Sequence, residues 1–252
     1  LSPWLSGRPV TNPTTQQTLA GMRALAQLHR AWGHRDPTFG SIPVADLPTD
    51  LPTVADIPSF EMGRGTVAVL RERLEFARQC TKMASNFDWT RLAGENSHLP
   101  WAVDIVSFVS DSSTRMSHLV TSLSEWVERI VPQQPVLRDI WSDHLFFADE
   151  GVSGLIDFHA VGVGTVAGDI GRLLASWNLP AEHSGWQEAV AEYESIRPLE
   201  ELERKLVVVL DDAARVLTPW VWLNWVLLER RNFPMRKMNS RVTWSLQRFF
   251  AR

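Results

Sequence analysis

Asp139, Asp157 and Asp169, with His144 and His159 between them, are the residues whose types and spacing could do chemistry in this chain. One aspartate at the end of an apolar approach can orient a hydroxyl and take its proton. A second, delivered by a neighbouring strand, can hold a divalent cation against phosphate oxygens; phosphoryl transfer asks for such a pair. Asp139 follows Val136-Leu137-Arg138 and leads through Ile140-Trp141-Ser142-Asp143-His144 into the apolar run Leu145-Phe146-Phe147. Ala148-Asp149-Glu150-Gly151 is a turn, and Val152-Ser153-Gly154-Leu155-Ile156 is a second run that delivers Asp157. A short polar linker containing Gly between two apolar runs predicts a hairpin. Its open end would present Asp139 and Asp157 to one pocket.

The whole order is Arg-Asp, strand, turn, strand, Ile156-Asp157-Phe158, Gly162-Val163-Gly164 and the helix opening Asp169-Ile170-Gly171-Arg172-Leu173-Leu174-Ala175-Ser176-Trp177. It resembles the aminoglycoside phosphotransferase and choline kinase-like family, small-molecule relatives of the protein kinases. The resemblance is strongest over residues 136–177. It extends more weakly to Pro3-Trp4-Leu5-Ser6-Gly7 and to the helix ending Leu25-Ala26-Gln27-Leu28-His29, which look like the family's linker and first C-lobe helix. The fold it implies is α+β and mostly helical: the C-terminal lobe of the protein kinase-like fold, with a short catalytic β-hairpin, over residues 1–252. Within it, 137–177 would form the catalytic and metal-binding core and 181–252 a helical extension on the acceptor side. The activity implied is ATP-dependent transfer of a γ-phosphate to a small-molecule hydroxyl, with Mg2+. Asp139 resembles the catalytic aspartate and Asp157 the metal ligand. Asp169 resembles the aspartate that braces the catalytic loop, with Arg138 supporting that loop where the family usually has Gly.

Two positions depart from the family. His144 stands where its metal-binding Asn is found, and Trp141 stands in place of its second His. Imidazole binds metals, although magnesium prefers oxygen. Upstream there is no Gly-x-Gly-x-x-Gly, and Gly63-Arg64-Gly65 reads as a loop. Lys82, Lys205 and Lys237 are the only lysines, and none follows the strand pattern of a phosphate-clamping lysine. The expectation is a truncated chain lacking the N-terminal lobe, with negligible turnover by itself. The alternative is a phosphotransferase-like binding or scaffold protein without catalysis. A third reading is a metal-dependent hydrolase using Asp139, Asp143, His144, Asp157 and His159.

Those motifs must be positioned by helices. Residues 16–32 carry Leu19, Met22, Leu25, Ala26 and His29 on one helical face, with His29 expected in the core. Residues 36–59 hold five prolines and read as a long loop. Residues 67–87 and 114–131 follow as amphipathic helices, the second ended by Pro132 and Pro135. After Asp169, which would cap its own helix, 181–197 and 199–231 read as helices broken near Pro198 and Pro219. Trp220, Leu223 and Leu227 share a face that reads as core. The tail from Arg230 to Arg252 carries seven basic residues and no acid, and reads as a solvated basic face.

Composition narrows the classes. With 25 basic and 29 acidic residues the formal charge is −4, which argues against nucleic acid as the main partner. The single cysteine, Cys80, excludes an intramolecular disulfide, and a cytoplasmic location is expected. No membrane association is expected, because the most apolar segment, 220–228, is too short to span a bilayer.

Overall fold

The computed structural model describes residues 6–33, 63–179 and 183–251. The proline-rich loop expected at 36–59, like Pro3-Trp4-Leu5, lies outside them. The chain divides into two compact units, residues 1–66 with 130–208 and residues 67–129 with 209–252.

The first unit holds the acidic motifs. Its first helix, α1 (Thr15–Gly33), begins with a reciprocal cap. Thr14 Oγ1 accepts from the Gln17 N–H at 3.2 Å, and Gln17 Oε1 accepts from the Thr14 N–H at 3.1 Å. Thr-x-x-Gln satisfies two otherwise orphaned donors this way. The same residues reach the expected hairpin: Thr14 Oγ1 donates to Glu150 at 2.6 Å and Gln17 Nε2 to the Asp149 carbonyl at 2.9 Å. The cap of α1 therefore holds the tip of the hairpin β4 (Leu145–Ala148) and β5 (Gly151–Leu155). The left-handed turn residue there is Asp149, with φ 53°, rather than Gly151. Asp tolerates that region through its short polar side chain. Strand β1 (Arg8–Pro9) completes this sheet on the far edge of β4.

A second sheet runs β2 (Gly63–Thr66), β3 (Ile130–Val136), β6 (Gly162–Gly164). This corrects two expectations: Gly63-Arg64-Gly65 is strand rather than loop, and Val131 to Pro135 are strand rather than a helix and its stop. A strand with two prolines between two neighbours is unusual, because each proline lacks a donor. The pairing explains it. Residues 130–133 face β2 alone and 134–136 face β6 alone, so each half of β3 keeps one edge clear of the ladder.

Helix α5 (Val166–Ser176) is capped by Thr165, whose hydroxyl accepts from the Ala167 N–H at 3.3 Å. Asp169, expected to cap, lies one turn inside. Trp177 after this helix is buried against α1 at Gly21, where a Cβ would come within 2.5 Å of its ring. Helix α6 (Ser184–Glu194) brings Tyr193 into the same core.

In the second unit, α2 (Ala68–Asn86), α3 (Trp89–Glu95), α4 (Ile105–Trp126), the end of α7 (Glu201–Leu223) and α8 (Met235–Phe250) bury an aromatic core. Trp220 meets Trp89 and Phe108 at 5.4 Å between ring centroids, and Phe108 meets Phe249 at 4.7 Å. The Trp89–Trp220 and Phe108–Phe249 pairs are edge-to-face, a geometry that adds to the burial itself. Helix α7 continues through Pro219 and ends in a π-turn at Asn224–Leu228, so no break occurs at that proline. The basic tail is not uniformly solvated either: Arg248 is buried in an ion pair with Asp211. Among the described residues no helix is long and apolar enough to cross a membrane.

Candidate functional site

The loop between β3 and β4 is held from below by one buried carboxylate. Asp169 Oδ2 accepts from the Leu137 N–H at 2.6 Å, and Oδ1 from the Arg138 N–H at 2.9 Å. His29 Nε2 lies 3.1 Å from the same Oδ2, and its Nδ1 lies 2.7 Å from the Tyr193 hydroxyl. One consistent arrangement has the Tyr193 hydroxyl donating to Nδ1 and the Nε2–H of His29 donating to Asp169. Burial pushes the Tyr193 phenol far above its usual range, so it stays a donor. The His29 and Asp169 side chains are 0% and 2% exposed, and a buried carboxyl group is tolerated there because both of its oxygens meet donors. Gln134 extends the network by donating to the His29 carbonyl at 2.7 Å.

Arg138 is strained by this arrangement. Its φ is 66°, in the left-handed region where a side chain costs on the order of 1 kcal/mol or more. Its backbone N–H is tied to Asp169, and its guanidinium donates to the Val163 carbonyl at 2.7 Å. A Cβ on Gly162 would sit 2.5 Å from that guanidinium carbon, so Gly162 is the residue that lets Arg138 lie across β6. A left-handed φ is also the condition that favours glycine.

Asp139 points out of the loop with its side chain 43% exposed. The Trp141 indole N–H and Arg172 Nη1 both donate to its Oδ1, each at 3.0 Å. Asp157 leaves β5 with φ 71° and its side chain 35% exposed. His144 Nε2 is 3.5 Å from Asp157 Oδ2 and 3.8 Å from Asp143 Oδ1. His159 Nδ1 bonds the other oxygen, Asp157 Oδ1. The hairpin makes this pairing, because the Ile156 N–H donates to the His144 carbonyl at 3.0 Å and brings the ends of both strands together.

The structure thus joins Asp157 to His144, and Asp169 to the backbone of Arg138. Asp139 instead pairs with Trp141 and Arg172. Arg172 has no counterpart in the sequence reading. Its signal was available: it lies three residues after Asp169 on one helix, and so on the same face.

A magnesium ion takes oxygen donors and commonly uses one or two carboxylates, completing its shell with water and phosphate oxygens. Asp157 Oδ2 fits that demand, while the neighbouring His144 nitrogen is a softer donor. Among the described residues no group of three or more His, Cys, Asp or Glu could hold a metal ion. A catalytic zinc commonly takes three protein ligands, so the described residues offer the hydrolase reading no support.

A model of the phosphotransferase enzyme family matches residues 1–206. The chain belongs to that family. It is similar to a homoserine kinase from Gluconacetobacter diazotrophicus, 34% identical over 104 residues that cover 38% of this chain and 32% of the relative. A homoserine kinase from Xanthobacter autotrophicus is 27% identical over 174 residues, covering 65% of this chain and 52% of the relative. The chain therefore spans about a third to a half of the length of these curated relatives. In fold it matches an aminoglycoside phosphotransferase from Alicyclobacillus acidocaldarius with a TM-score of 0.54 at 13% identity, covering 98% of this chain and 67% of that one. The α+β, mostly helical fold is accordingly that of the protein kinase-like phosphotransferases.

Proposed function

We propose that this family member carries the catalytic side of an ATP-dependent small-molecule kinase, with residues 137–177 as its core. The observation that carries the reading is the Asp169 brace, which fixes the loop bearing Asp139 while the paired strands bring Asp157 beside His144. Asp139 orients the acceptor hydroxyl and takes its proton, and the hydroxyl oxygen attacks the γ-phosphorus as its bond to the β-phosphate oxygen breaks. Little covalent work is asked of the protein, because phosphoryl transfer of this kind rests on positioning and charge. Asp157, with His144 beside it, would hold Mg2+, which supplies charge neutralisation at the phosphates. Homoserine, the acceptor in the names of both curated relatives, is the first acceptor to test.

The test is ADP release by the full natural chain with Mg2+, ATP and L-homoserine, followed by a panel of small hydroxyl compounds. The expected result is turnover that falls by about 10³-fold in Asp139→Asn, within the range general base catalysis contributes. A second reading, a binding protein without catalysis, draws on the Arg172 and His159 side chains that already engage both acids. It predicts no turnover with any acceptor and Asp139→Asn indistinguishable from the natural protein.

A further inference from the structure

We infer that Arg172 and Trp141 form a clamp that sets the orientation of Asp139, leaving its Oδ2 as the oxygen that receives the acceptor's proton. The inference rests on the phosphoryl-transfer reading above for what Asp139 does, and on geometry of its own for how it is held. Both donors converge on Oδ1 at 3.0 Å. A carboxylate oxygen offers two in-plane lone pairs, so two donors on one oxygen fix the plane of the whole group. Among the described residues no hydrogen bond reaches Oδ2. The donors also steady each other, because the Arg172 guanidinium carbon lies 5.6 Å from the centroid of the Trp141 ring.

The origin of the clamp is one helix face. Asp169 and Arg172 are three residues apart on α5, a spacing that stacks side chains on the same side. The first holds the loop backbone at Leu137 and Arg138; the second holds the side chain of the next residue, Asp139. Backbone and carboxylate of the loop are thereby referred to a single rigid element, as a group that works by positioning requires. In the reaction the acceptor O–H bond breaks toward Oδ2, the new oxygen–phosphorus bond forms and ADP leaves with the electron pair. The proton passes from Oδ2 to solvent. Because the proton leaves late in a loose transition state, Arg172 can stay bound at Oδ1 throughout.

In the full natural chain with Mg2+, ATP and the accepted hydroxyl compound, Arg172→Met should lower kcat by up to about 10²-fold, as misplacement of a reacting group can, with little change in KM for either substrate. Arg172→Lys should recover part of that loss, and methylguanidinium added to Arg172→Ala should recover part as well. Trp141→Phe should lose less, and the double variant should lose less than the product of the singles, because both donors serve one oxygen. Melting temperatures should stay near that of the natural protein. Arg172→Met turning over like the natural protein, or changing KM alone, overturns the clamp. A second measurement is independent of activity: the Trp141 indole N–H resonance, identified by its absence in Trp141→Phe. It should move in both Asp139→Asn and Arg172→Met, and an unmoved resonance in both overturns the inference. Absence of turnover in the natural chain with a moving resonance leaves the clamp standing and removes only the kinase reading.

Discussion

Two aspartates in this chain are equally buried and have opposite company. Asp169 in the first unit takes two backbone N–H groups and an imidazole. Asp211 in the second takes arginines, Arg248 in direct contact and Arg215 at 3.9 Å. Burial pushes the Asp211 carboxyl up and the Arg248 guanidinium down, and the charge of each works against the shift of the other. Backbone donors cannot move relative to the chain, so a carboxylate tied to them acts as a template for a loop. Arginine side chains carry charge on long flexible stems, so a carboxylate tied to them joins helices without dictating a backbone path. Residue type and burial therefore do not reveal the role of a buried acid; its donors do.

The contrast is broken most directly at Asp169. Asp169→Asn keeps one acceptor oxygen but cannot accept from both loop N–H groups. Turnover is expected to fall by about 10²-fold, as a misplacement of about 1 Å can cause. Steady-state kinetics beside a melting curve checks it, and a melting loss without a kinetic loss would make Asp169 an ordinary structural acid. Asp211→Asn should do the reverse. Leaving Arg248 buried and unpaired costs about 3–5 kcal/mol in denaturant unfolding, with unchanged turnover per folded molecule.

Gly162→Ala tests whether the strained Arg138 belongs to the template. A Cβ there meets the guanidinium and must displace it, with an expected cost of about 1–3 kcal/mol from overpacking and lower turnover. Arg138→Gly should relieve that clash and keep the left-handed φ. Measuring the double variant decides between clash and loss of the Val163 bond.

The smallest effect belongs to Tyr193. Tyr193→Phe removes one buried hydrogen bond and should cost about 1 kcal/mol. The pH dependence has a definite sign. The folded phenol binds its proton more tightly than the unfolded one, so its contribution is complete below the unfolded value near 10 and is lost as pH rises beyond it. Tyr193 is the only tyrosine of the chain, so the tyrosinate absorbance that grows in as pH rises follows its ionisation alone. Ionisation with an ordinary midpoint in the folded protein would contradict the buried network.

Much of the candidate site was legible in order along the chain. Apolar runs alternating with turn residues mark β4 and β5, and the spacing of Asp139, Asp157 and Asp169 around them carries the family resemblance. The helix α1 was equally readable, from Met22, Leu25, Ala26 and His29 at helical spacing. Pairing between distant segments was not. Pro132 and Pro135 read as a helix stop because their tolerance in β3 depends on which half of the strand faces which neighbour. Gly63-Arg64-Gly65 has little strand propensity, and its pairing with residues 131–133 gives it strand structure from outside. Arg172 could be placed on the face of Asp169, yet nothing local says that a carboxylate from a loop more than thirty residues earlier ends within 3.0 Å of it.

The sequence by itself determined the local pieces: the first helix, the hairpin, the helix through Asp169 and the acids at their ends. These depend on interactions among near neighbours, which composition and spacing express. Tertiary structure alone decided the distant partners of each acid, giving Asp169 the backbone of Leu137 and Arg138, Asp139 the Arg172 guanidinium and Asp157 the His144 imidazole. Hydrogen bonds fail within about half an ångström of their ideal length, so their pairing is fixed only when packing has brought distant elements into register.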